Sequence, residues 1–273
     1  MQTNLSFSII FNQASNFIQN RFWQLMMISI IIGIFNTSVN NYFMDSETIE
    51  LLSKAEDTQD ISILSPAILK IIILSIFTSL IITSVNIATI YNLSINNKLN
   101  VNILLSKSVS SIIKVLGFNL IYTLIGLFIT LFFSLIITVF LIIAPTLGLT
   151  ITVLVILGLV FFMKIVNYFF ISLIIEPSSK TFIQLFVQSH QFVKKYWRLG
   201  SLMMVINIVC IIMLSTLAMT YEKGNFVLDL ILATVSNFID LFVICFFYRL
   251  SQLISDKETD LINNNANNTN LIL

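Results

Sequence analysis

Hydrophobic positions along this chain form two kinds of run, and the two kinds follow one another three times. The first kind is amphipathic. Phe7, Ile10, Phe11, Ala14, Phe17 and Ile18 recur at the three-and-four spacing of one helical face, while Asn12, Gln13, Ser15, Asn16, Gln19 and Asn20 take the other. The stripe returns as Val101, Leu104, Leu105, Val109, Ile112 and Ile113, with Lys107 and Lys114 off it. It returns again as Phe182, Leu185, Phe186, Phe192, Val193, Tyr196 and Trp197, flanked by Lys180, Lys194, Lys195 and Arg198. These patterns predict helices over about 6–21, 101–114 and 179–197. The first and last also share letters: Phe11-Asn-Gln-Ala-Ser-Asn-Phe-Ile-Gln-Asn-Arg-Phe22 sits beside Phe186-Val-Gln-Ser-His-Gln-Phe-Val-Lys-Lys-Tyr-Trp197.

The second kind of run is apolar throughout. A bilayer core of about 30 Å takes about 20 helical residues to cross, which predicts spans over about 23–43, 68–91, 199–219 and 226–248. Between Lys114 and Glu176 the only charge is Lys164. At 1.5 Å per residue that stretch is roughly two to three membrane thicknesses long, so it must fold back. Ala144-Pro-Thr-Leu-Gly148 pairs a helix-ending Pro with a permissive Gly and divides it into 115–143 and 149–174. The predicted fold is an all-α membrane protein with six transmembrane helices in three hairpins, each preceded by an amphipathic helix on the cytoplasmic side. Residues 1–254 form one transmembrane domain. The Asn-rich end, 255–273, reads as a disordered low-complexity tail.

Composition agrees, with 57% hydrophobic residues, 10% charged and a mean hydropathy of +0.97, values outside the range of soluble domains. A net charge of +1 with 14 scattered basic residues offers no dense basic face for nucleic acid. Charge does set an orientation, because Lys and Arg are retained on the cytoplasmic side. With the N-terminus inside, the inner segments hold Arg21, Lys98, Lys107, Lys114, Lys180, Lys194, Lys195, Arg198, Arg249 and Lys257. Only Lys54, Lys70 and Lys223 fall outside. Both ends are thus expected in the cytoplasm. The first apolar run starts late, is long enough to span and is followed by no small-residue cleavage site, so it reads as an anchor. The outer loop 40–65 carries Asp45, Glu47, Glu50, Glu56, Asp57 and Asp60 against Lys54, either as a solvated short helix or as a cation-collecting vestibule.

An apolar stripe, a basic flank and interfacial aromatics suit a helix lying among lipid headgroups. Candidate lipid contacts are Phe11, Phe17, Phe186, Lys194, Lys195, Trp197 and Arg198. The alternative is a helix packed on the protein itself. Either way, one amphipathic helix plus two spans, repeated three times, makes a parallel repeat rather than the inverted repeat of many secondary transporters.

The opening segment 11–23, Ile175-Glu-Pro177 with the following 186–198, and the closing Phe247-Tyr-Arg-Leu250 resemble the YciC family of uncharacterised bacterial inner-membrane proteins. The resemblance runs from about residue 8 to 254. It implies a multi-pass protein of the inner membrane of a Gram-negative bacterium, with no catalytic residues to carry over. The longer outer loop and the Asn-rich tail depart from the family pattern.

Chemistry is sparse. One His, His190, reads as a solvated surface residue, and with two Cys it supplies no ligand set for zinc or haem. No cofactor and no catalytic residue is expected. Cys210 and Cys245 differ in depth by roughly 10 Å, too far for a disulfide. Seven Gly offer neither a phosphate-cradling loop nor a Gly-x-x-x-Gly pair, which leaves helix packing to Ser, Thr, Ala and Asn. Ionisable groups within spans are costly in lipid and point to function. Lys164 and Asp240 fall at nearly equal depth, about 21 to 23 Å from the outer surface, and are the candidate buried charge pair, acting as a helix clamp or as an ion relay. Asn86, Asn119, Asn167, Asn207 and Asn237 set an amide in each of the second to sixth spans, for interhelical bonds or for a polar path. Asp229 reads as hydrated at the outer interface. Two functions stay open. One is a non-enzymatic membrane component for envelope maintenance or scaffolding, with membrane lipids and other inner-membrane proteins as partners. The other is a small-solute or ion transporter or channel with a Lys164-Asp240 centre.

Overall fold

The computed structural model describes residues 5–43, 61–177, 180–220 and 225–269. Among these there is no β-strand. The helices are α1 Phe7–Asn20, α2 Phe22–Phe43, α3 Ile61–Ile95, α4 Val101–Ile143, α5 Pro145–Ile175, α6 Phe182–Thr220 and α7 Phe226–Thr269. Six of them are long and apolar enough to cross a bilayer, over Phe22–Tyr42, Ile68–Ile95, Val101–Ser134, Gly148–Ile175, Phe182–Thr220 and Phe226–Lys257. That is the signature of a multi-pass membrane protein. The acidic residues of the outer loop at 45–60 lie outside the described residues.

Local chemistry accounts for the ends of these helices. The central apolar run breaks where expected: Ala144 leaves helical geometry at φ −147, ψ 86, and Pro145 opens α5, where its missing N–H costs nothing. Asn100 Oδ1 accepts from the N–H groups of Asn102 at 3.0 Å and Ile103 at 3.4 Å, capping α4. Thr181 and Gln184 make a reciprocal capping box at the start of α6. Asn225 Oδ1 accepts from Val227 and Leu228 to begin α7.

Two boundaries differ from the periodicity. The second amphipathic stretch is not a separate helix, because α4 runs unbroken from Val101 to Ile143; no Gly or Pro interrupts it before Gly117. α7 is helical as far as Thr269, beyond the last predicted span residue, 248. Extending an existing helix gains one hydrogen bond per residue without a new nucleus.

The chain divides into two compact units, to which α1, α4, α6 and α7 each contribute a part. The first comprises 1–16, 113–206 and 243–273. Its core is aromatic. Phe118 stacks on Phe170 at 4.3 Å and on Tyr122 at 4.4 Å, and Phe169 meets Phe192 and Phe247 edge-on. Gly200 lets α6 come close, since a Cβ there would lie 3.1 Å from Ile165 Cγ2 and 3.3 Å from Phe247 Cε1. Phe7 packs on Phe246, which seats α1 on this unit.

The second unit comprises 17–112 and 207–242. Arg21 donates from Nε to the Leu93 carbonyl at 2.8 Å and lays its guanidinium 4.5 Å over the Phe17 ring. It thereby satisfies one of the orphan carbonyls at the end of α3. Gln24 Nε2 donates to the Asn97 carbonyl at 3.0 Å, in the loop that follows α3.

The likeness of the first and third amphipathic stretches extends to their burial. At an offset of 175 residues, Ile10, Ala14, Phe17 and Ile18 correspond to Leu185, Ser189, Phe192 and Val193, and all eight are buried. The helical path also breaks at corresponding residues. Arg21 separates α1 from α2, and Tyr196 bends α6 with φ −123, ψ 22.

Candidate functional site

Polar side chains inside the second unit gather along one face of α2, where Ser29, Gly33, Asn36, Thr37 and Asn40 follow helical spacing. At its buried end, Asn237 Nδ2 of α7 donates to Ser29 Oγ at 3.3 Å, and Asn86 Nδ2 of α3 donates to Asn237 Oδ1 at 2.9 Å. Ser29, Asn86 and Asn237 are 0%, 1% and 5% exposed, so one amide ties three helices together out of reach of solvent. One turn along, Gly33 permits close approach: a Cβ there would collide with Thr234 Oγ1 and stand 3.2 Å from the Thr234 backbone nitrogen.

Beyond Gly33 the stripe opens into a cavity of about 450 Å³ between α2, α6 and α7, whose polar lining includes Asn36, Thr37, Asn40, Ser215, Asp229 and Ser236. A smaller cavity of about 260 Å³ shares Asn36 and Asn40 and adds Lys70, Ser75 and Thr78 of α3. Thr37 is 3% exposed, and its hydroxyl has no hydrogen-bond partner among the described residues.

The first unit carries its own polar ties. Ser172 donates to the Phe169 carbonyl at 2.7 Å and so receives the hydrogen of Ser251, whose hydroxyl lies 2.5 Å away. His190, expected in solvent, is half-buried instead. Its Nδ1 lies 2.8 Å from the Phe186 carbonyl and its Nε2 2.6 Å from the Tyr122 hydroxyl. A carbonyl can only accept, so Nδ1 carries the hydrogen, and in the neutral ring Nε2 accepts from Tyr122. Tyr122 also stacks on the imidazole, and Phe186 meets it at a tilt. The fixed turn of α6 between Phe186 and His190 is what brings the ring to α4.

Just past the C-terminal end of α5, Glu176 is 12% exposed in its side chain and pairs with Lys180 at 3.6 Å. Ser255 donates to it at 3.4 Å. Burial pushes its carboxyl above the ordinary 4.5, against the opposing pull of Lys180 and Ser255. Glu176, Arg249, Gln252 and Asp256 line a cleft of about 540 Å³.

The candidate residues read from sequence are distributed unevenly. Asn86 and Asn237 meet directly. Lys164 is exposed on α5 in the first unit, and Asp240 is half-buried on α7 in the second. Lys194, Lys195, Trp197 and Arg198 are exposed, Phe11 and Phe186 are half-buried, and Phe17 at 3% exposure is turned into the protein beneath Arg21. Neither Cys210 nor Cys245 is in a disulfide. Ser29, Thr37, Tyr122 and Ser251 were missed; the three-and-four spacing of Ser29, Asn36, Thr37 and Asn40 within a single span was the available signal for the first two. Gly33 and Gly200 also share the close packing that the absence of a Gly-x-x-x-Gly pair assigned to other residues. No family model, no curated protein and no solved structure matches this chain.

Proposed function

We propose that the protein is a non-enzymatic structural component of the bacterial inner membrane, with six spans in three hairpins and both termini in the cytoplasm. The observation that carries this reading is how its buried polar groups are used. Ser29, Asn86 and Asn237 tie α2, α3 and α7, Ser172 and Ser251 tie α5 and α7, and Tyr122 and His190 tie α4 and α6. Interhelical bonds of this kind hold a membrane bundle together.

Support for hairpins comes from contacts whose residue numbers fall on one helix as they rise on the next. Phe118 meets Phe170 while Gly126 faces Met163. Support for a membrane-surface role comes from α4, where Val101, Leu105, Val109 and Ile113 are all more than half exposed along one stripe, and from the exposed Lys194, Lys195, Trp197 and Arg198 on α6. The buried stripes of α1 and α6 dock those helices on the protein, which leaves their opposite flanks to meet anionic headgroups.

Reporter fusions at Asp57 and Ser189 test the topology, with opposite-side signals expected. Reconstitution in anionic vesicles tests the role. The structural reading expects no solute or ion flux that depends on Lys164 and Asp240. A flux abolished by both Lys164→Met and Asp240→Asn would overturn it in favour of a transporter.

A further inference from the structure

We infer that the larger cavity of the second unit is a binding site for a primary ammonium group. It sits at the ends of three helices, with Asn40 near the end of α2, Ala218 near the end of α6 and Asp229 in the first turn of α7. Among the described residues its only charged lining residue is Asp229, held at a helix N-terminus where a carboxylate is favoured. The remaining polar lining offers acceptor oxygens. Ser215 has already donated its hydrogen to the Ile211 carbonyl at 2.8 Å, so only its lone pairs face outward. Asn36 and Asn40 present carboxamides.

The independent sign of a ligand is Thr37. Its side chain is 3% exposed, it lines the cavity, and its hydroxyl is unsatisfied among the described residues. A buried hydroxyl without a partner costs about 1 to 3 kcal/mol. A ligand polar group entering the cavity can partner that hydroxyl.

One negative charge beside hydroxyl and amide oxygens suits a cation that donates hydrogen bonds. Size then excludes a bare metal ion, since about 450 Å³ lies within the roughly 300 to 1,000 Å³ of small-molecule sites and exceeds anything a dehydrated ion fills. A small organic ammonium meets both conditions. It has two sources, a free amine or the headgroup of an aminophospholipid. On the proposed orientation the mouth faces outward, but the chemistry of the site does not depend on that orientation.

The test uses the full chain in detergent, with thermal unfolding followed against ethanolammonium chloride at constant ionic strength. Saturable stabilisation of the wild type is expected, weaker with tetramethylammonium, which has the charge but no N–H, and absent with glycerol, which has hydroxyls but no charge. Asp229→Asn should weaken the midpoint concentration by about tenfold, as loss of one partner of a charged hydrogen bond does. Thr37→Val combined with Ser236→Ala should weaken it by about fivefold, and serves alone if Asp229→Asn does not fold. No stabilisation of the wild type, or an unchanged midpoint in the folded variants, overturns the site. In nanodiscs, stabilisation by ethanolammonium that disappears when phosphatidylethanolamine replaces phosphatidylglycerol assigns the lipid headgroup as source. Stabilisation that persists assigns the free amine. Both results support the site.

Discussion

Replacing Asn237 with Ala removes the amide at the centre of the α2, α3 and α7 contact. Two bonds go, the 2.9 Å bond from Asn86 and the 3.3 Å bond to Ser29. Interhelical hydrogen bonds in bilayers are worth roughly 0.6 to 1.7 kcal/mol each, and the longer one belongs at the lower end. The Asn86 amide, only 1% exposed, is left without its acceptor, which adds the desolvation cost of an orphaned buried group, about 1 to 3 kcal/mol. Allowing for overlap between these terms, Asn237→Ala should destabilise by about 2 to 4 kcal/mol. Asn86→Ala alone should cost less, because Asn237 keeps its bond to Ser29. Unfolding measured in bicelles for the two single variants and the double gives the coupling directly. The double should fall short of the sum by about 1 kcal/mol. Additivity within about 0.3 kcal/mol, the behaviour of independent sites, would refute the claim that these amides act as one clamp.

Gly33→Ala should destabilise by about 1 to 3 kcal/mol through overpacking against Thr234. Adding Thr234→Ala should restore part of this, since the backbone contacts at 3.2 and 3.3 Å remain; full restoration, measured by unfolding, would place the conflict in the hydroxyl alone. Tyr122→Phe strips His190 Nε2 of its donor and should cost about 1 kcal/mol, and it should cost less in a His190→Ala background, where the acceptor is already gone. Glu176 makes stability pH-dependent. Its carboxyl titrates above the ordinary 4.5 when folded, so the folded state holds the proton longer than the unfolded chain. Its contribution is present in full below about 4.5 and is lost as pH rises through the raised folded value. The melting temperature should therefore decline over that window, and Glu176→Gln should flatten the decline; an unaltered slope would assign it elsewhere.

Much of the fold was legible because bilayer thickness and helix rise are strong constraints on sequence. Six apolar runs became six span-length helices, and Ala144 followed by Pro145 ended the fourth helix as Pro chemistry requires. The likeness between the first and third amphipathic stretches carried further than its letters, since corresponding residues are buried and the path breaks at corresponding residues, Arg21 and Tyr196. The second stretch offered an equally clear period, yet it continues into its span as one helix. Periodicity reports which face is apolar; it does not report where a helix stops unless a breaking residue is present.

The polar groups divide along the same line. That Asn86 and Asn237 lie within spans follows from counting residues. That one donates to the other, with Ser29 completing the set, depends on how α2, α3 and α7 are rotated about their axes, and rotation is set by packing, such as the approach Gly33 permits. His190 makes the contrast sharpest. Its neighbours in sequence are polar and basic, and they place it in solvent; the docking of α6 places it against Tyr122. Local sequence governs secondary structure and spans because their driving forces act over a few residues and across one bilayer. Partners for buried side chains are chosen by contacts between segments 68 to 208 residues apart, which only the folded bundle brings together.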